Sequence, residues 1–145
     1  MKARIKKQWY GRQKSVEELH SDCKFWLSEI DFIKDEINFL EHLFGLNYID
    51  FLEAGFEEKV EKLIKKIKEE KNAVNKMYPL IQDHNNILAD LMESKSAENN
   101  PTYLESHLKL EKLMDLYFEK FKSIKKEIFK VVEEVTKRKE MKKLV

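Results

Sequence analysis

Val16, Leu19, Cys23, Trp26, Ile30, Ile33, Ile37, Leu40 and Phe44 follow one another at alternating intervals of three and four residues. An α-helix turns once in 3.6 residues, so this run forms one apolar stripe along one face. A stripe of that length leaves water only by packing on other helices, as in a coiled coil. Two later segments repeat the pattern. One reads Val60, Leu63, Ile67, Val74, Met77, Ile81, Leu88, Leu91, and the other His107, Leu110, Met114, Tyr117, Phe121, Ile124, Ile128, Val131, Val135. The expectation is an all-α protein of three long helices. Its three glycines and two prolines are too few for the turns of a sandwich or barrel.

Local signals set the boundaries. Ser15 followed by Glu18 has capping-box spacing, in which hydroxyl and carboxylate each satisfy an orphan backbone N–H. The first helix is predicted from Ser15 to about Leu46, with Gly45 or Asn47 as the stop. The second starts between Asp50 and Phe56 and reaches about Glu93. Pro79 lies inside it and predicts a kink, or a division into two helices. Residues 94–101 read as a loop, and the third helix runs from about Thr102 to Lys142. Short connections make successive helices antiparallel neighbours. The predicted architecture is an elongated up-down-up three-helix bundle over residues 15–145, preceded by a basic N-terminal segment, residues 1–14.

Charge and composition narrow the function classes. The net charge of +1 conceals basic ends on an acidic body. Residues 1–14 carry six basic groups and no acid, residues 137–145 five basic groups and one acid, and the remainder 17 basic and 26 acidic groups. Three arginines, with helix lysines interleaved among acids, are a poor footprint for nucleic acid. A Gly-rich phosphate loop is absent, as is any apolar run long enough to cross a membrane. The N-terminus lacks the apolar core of a secretion signal and Cys23 is the single cysteine, which fits a cytoplasmic location. Cys23 occupies a seam position and reads as a small core hydrophobe.

The first helix carries more apolar surface than one seam explains. Phe25, Phe32, Phe39 and Leu46 form a second line seven residues apart. Either this helix lies deepest and touches both others, or the phenylalanine line joins two copies of the chain as a homo-oligomer, most simply a dimer. Trp9 and Tyr10 in the basic segment could support such an interface or dock on their own bundle. The leading functional expectation is therefore a non-enzymatic interaction protein, working through self-association or a helical partner.

A second expectation comes from the histidines. Folding the second helix back about Phe51 brings His84 near the level of His20. Folding the third back about Ala97 brings His84 near His107 and Glu111. Imidazoles and carboxylates converging in a bundle core suit a transition metal such as zinc or iron. His107 and Glu111, at i and i+4, share a helix face, and His84 interrupts an apolar seam. His20, His84, His107 and Glu111 are the candidate ligands, and an open coordination position would permit oxidase or hydrolase chemistry. The alternative is that these histidines only hydrogen-bond at the bundle edges. Asp22, Glu29 and Glu36 line the same helix between the two apolar lines, where pairing with Lys62, Lys65 or Lys66 is expected for Glu36. Glu70 pairs with Lys125 or turns outwards.

Overall fold

A computed structural model describes residues 14–95 and 100–144. Trp9 and Tyr10 lie outside the described residues, as does nearly all of the basic segment. The described chain is all-helical: α1 (Val16–Glu53), α2 (Glu57–Glu93) and α3 (Pro101–Leu144). It divides into two compact units. Unit one lies within Met1–Asp31 and Asn75–Phe118, unit two within Phe32–Val74 and Glu119–Val145. No helix of the described residues is long and apolar enough to cross a membrane.

The ends of α1 separate what local signals decide from what packing decides. At the N-terminus the capping box forms: the Ser15 amide donates to Glu18 Oε1 at 3.1 Å, and the Glu18 amide to Ser15 Oγ at 3.2 Å. At the other end α1 runs past both expected stops. Gly45 costs an exposed helix interior about 1 kcal/mol relative to alanine. Phe51, six residues further on, is fully buried and packs edge-on against Phe44 with ring centroids 5.9 Å apart. Its burial is worth roughly 2–3 kcal/mol, so the helix continues. Asn47, instead of capping, donates from Nδ2 to the Leu43 carbonyl within the helix. The actual stop is Gly55, at φ +80°. Phe56 N–H reaches the Phe51 carbonyl at 2.9 Å and Gly55 N–H the Leu52 carbonyl at 3.1 Å, the bond pair of a Schellman motif.

Pro79 falls inside α2, which stays one helix from Glu57 to Glu93. The third helix begins at Pro101 with Asn100 as its cap, Asn100 Oδ1 accepting the Tyr103 amide at 2.9 Å. An Asn-Pro pair at a helix start does both jobs at once, because proline at the first position has no N–H to lose.

The seams are the core. In unit one Leu19, Cys23, Trp26, Ile30, Met77, Ile81, Leu88, Tyr103 and Met114 are buried. In unit two Ile33, Ile37, Leu40, Phe44, Val60, Leu63, Ile67, Phe121, Ile124 and Ile128 are buried. The α2 seam steps through two polar positions without leaving the interior: Glu70 in unit two and His84 in unit one are both buried. Lys120 on α3, its head in solvent, stands 3.3 Å from the Glu70 carboxylate. The partner of Glu36 is Lys125 on α3, at 2.7 Å, and not a lysine of α2.

Candidate metal centre

Unit one holds a buried polar layer built from all three helices. His84 comes from the α2 seam and His107 from the α3 seam, and both are buried. The helical stagger that buries the apolar seam residues carries these imidazoles in with them. His84 Nε2 and His107 Nδ1 face each other at 2.8 Å. On the far side of the ring, His107 Nε2 lies 2.9 Å from Asp22 Oδ2. An ionised carboxylate can only accept, so Nε2 of His107 carries a proton. In the neutral ring Nδ1 is then a lone pair that accepts from His84 Nε2–H. Asp22 in turn takes Lys14 Nζ at 2.6 Å, and the same ammonium reaches Glu111 Oε2 at 2.8 Å. A continuous chain of hydrogen bonds therefore runs Lys14–Asp22–His107–His84.

Aromatic rings wall the layer. Tyr103 stacks on His84, centroids 4.2 Å apart and planes 9° from parallel, and Trp26 lies against His107 at 4.9 Å. The Tyr103 hydroxyl donates to the His84 carbonyl at 3.3 Å. Cys23 brings its thiol from α1 into the same layer. One ligand atom each from Cys23, His84 and His107 lie within 4.8 Å of one another, and all three residues are buried.

Burial sets the protonation states. It pushes His84 down to about 4, with the neighbouring His107 adding to the shift, so His84 is a neutral imidazole at neutral pH. Burial pushes the Cys23 thiol up to about 11; the Asp22 charge adds to this and the neighbouring Tyr103 hydroxyl opposes it. Tyr103 is raised by burial and by Cys23. Burial lowers Lys14, but its bonds to Asp22 and Glu111 and their charges outweigh that, and the net shift is upward.

The expected residues separate accordingly. His84 and His107 meet. Glu111 sits beside them in the interior with its carboxylate held by Lys14. His20 is half-buried on α1 and is not among the groups whose ligand atoms converge. Two participants, Cys23 and Tyr103, have no individual mark in the sequence, being apolar by pattern. Asp22 is marked in the sequence as a carboxylate beside the seam, at a height similar to that of the histidines, but its pairing with His107, 85 residues away, is not.

The phenylalanine line is divided between the units. Phe25, in unit one, is half-buried. In unit two Phe32 and Phe39 are 53% and 55% exposed, and Leu46 and Ile49 are each 69% exposed. These side chains are not the second face of a deeply buried helix; they point away from the core of their unit.

Compared with models of known protein families, with curated proteins and with solved structures, the chain matches none.

Proposed function

We propose that this is a non-enzymatic helical bundle that holds one transition-metal ion through His84 and His107. The observation that carries the reading is the pair of facing imidazole nitrogens, 2.8 Å apart, on different helices and shielded from solvent. Two further features support it. Asp22 behind His107 is the carboxylate–histidine arrangement that orients metal-bound imidazoles. The low proton affinity of His84 keeps its ring in the neutral form that metals bind. With both rings walled by Trp26 and Tyr103, the centre suits an ion that ties α2 to α3 better than one that admits a substrate. Protein purified without a histidine tag is expected to carry close to one zinc or iron per chain by elemental analysis. The His84→Ala, His107→Ala variant is expected to carry none. Metal-free protein that also fails to take up added ion would overturn the reading.

The up-down-up order belongs to the same proposal. In unit two, partners on α1 and α3 rise together (Glu36 with Lys125, Asp50 with Lys139), while those on α2 and α3 run oppositely (Lys66 with Glu127, Glu70 with Lys120). A bend at Pro79 follows from the N–H that proline lacks.

A second reading is favoured by the exposed line Phe32, Phe39 and Leu46: self-association of the chain through α1. Wild-type protein is then a dimer in sedimentation and Phe32→Glu a monomer. A monomeric wild type, or an unchanged dimer in the variant, removes it.

A further inference from the structure

Resting on the reading of His84 and His107 as ligands, we infer that Cys23 is the third ligand, as a thiolate. The centre is then one for zinc and ions of its class, such as Co²⁺, with Asp22 and Tyr103 as positioning residues. The seam pattern gives Cys23 only a packing role. The structure places its sulfur with the two ring nitrogens, all within 4.8 Å of one another. In a tetrahedral zinc site, bonds of about 2.3 Å to sulfur and about 2.0 Å to nitrogen set the donor atoms roughly 3.3–3.6 Å apart. The facing nitrogens must open by about half an ångström and the sulfur must close by about 1.3 Å at most. Both movements are within reach of side-chain rotation.

The donor set decides the class of ion. One thiolate and two imidazoles, with no carboxylate oxygen among them, match zinc and cobalt and disfavour magnesium, calcium and manganese. They also differ from the carboxylate-rich set of a di-iron bundle, since the nearby carboxylates of Asp22 and Glu111 are both occupied by Lys14. On loading, the thiol releases its proton to solvent and the His84 proton moves from Nε2 to Nδ1, so one proton leaves per ion. Behind the ligands, Asp22 holds the His107 proton on Nε2 and keeps Nδ1 free to coordinate. Tyr103, stacked on the His84 ring with its O–H on the His84 carbonyl, holds that imidazole in place.

The test uses the full chain without a tag, stripped of metal and titrated with Co²⁺ and with Zn²⁺. The wild type is expected to bind one ion and to show a sulfur-to-cobalt charge-transfer band. Excess Mg²⁺ should not displace the ion. Cys23→Ser is expected to lose the band and at least tenfold in Zn²⁺ affinity. Asp22→Asn is expected to keep the band but bind 10–100-fold more weakly, with partial recovery in Asp22→Glu. X-ray absorption at the zinc edge of the wild type should show one sulfur and two histidine nitrogens, a measurement that does not depend on any variant folding. A zinc shell without sulfur, or Cys23→Ser binding as tightly as wild type, overturns the thiolate and leaves the histidine reading standing. Equal affinity in Asp22→Asn overturns its positioning role. Failure of the wild type to bind either ion removes the histidine reading, and this inference with it.

Discussion

His84 Nε2 and His107 Nδ1 face each other across 2.8 Å in a buried setting, and one proton serves that contact. That makes His84 a stability determinant in metal-free protein. Its ordinary value of 6.5 applies to the unfolded chain, and burial lowers it to about 4 in the fold. Between those limits the unfolded chain takes up a proton that the folded chain refuses. The contribution is complete above pH 6.5 and is lost as the pH falls towards 4, at most about 3 kcal/mol. Urea unfolding of chelator-treated protein at pH 7 and pH 4.5 is expected to show this loss in the wild type, and a smaller one in His84→Gln. Equal losses in the two proteins would place the acid sensitivity elsewhere. At this scale the sequence was only partly readable. His84 stood out because an imidazole in an apolar seam needs a partner. Cys23 did not, because a thiol in the same seam is indistinguishable from packing until its neighbours are known.

The glycines of α1 carry opposite physics at the scale of the element. Gly45 lies in the helix interior and an added Cβ would meet nothing within 4 Å. Gly45→Ala should stabilise the protein by about 1 kcal/mol. An added Cβ at Gly55 also meets nothing, but its φ of +80° belongs to the left-handed region. Gly55→Ala should cost about 1–2 kcal/mol through the backbone alone. Urea midpoints moving the same way for both substitutions would contradict this account of where α1 ends. Element identity and most boundaries were legible because caps and periods are local, as with Ser15 and Glu18; the Asn100 cap before Pro101 lay in what read as loop. The end of α1 was misplaced because helix continuation through Gly45 depends on Phe51, whose burial no local signal displays.

Across the whole molecule the two units differ in what they keep inside. The polar layer of unit one joins three helices, whereas the Glu70–Lys120 pair of unit two reaches solvent at its lysine end. Ion binding should therefore act on stability through unit one. With free Zn²⁺ a hundredfold above its dissociation constant, linkage adds about 2.7 kcal/mol, a rise in Tm of roughly 5–10 °C for a chain of this size. Calorimetry with and without zinc should show the rise in wild type and none in His84→Ala. A similar rise in both would mean that zinc stabilises the chain from another place. The exposed residues Phe32, Phe39 and Leu46 belong to unit two. Self-association through them should therefore be indifferent to metal.

By itself the sequence determined that this protein is helical, where most of its helices start and stop, and which residues face the interior. Those properties follow from a 3.6-residue period and from caps made by neighbours in the chain. Tertiary structure alone decided that Asp22 stands behind His107, that the Cys23 thiol lies beside two imidazoles, and that Lys14 occupies Glu111. Each of these is a distance between side chains on different helices. Periodicity fixes the face of a helix on which a residue lies, but the partner it meets depends on how far one helix slides along another, and a shift of one turn replaces every partner in the layer.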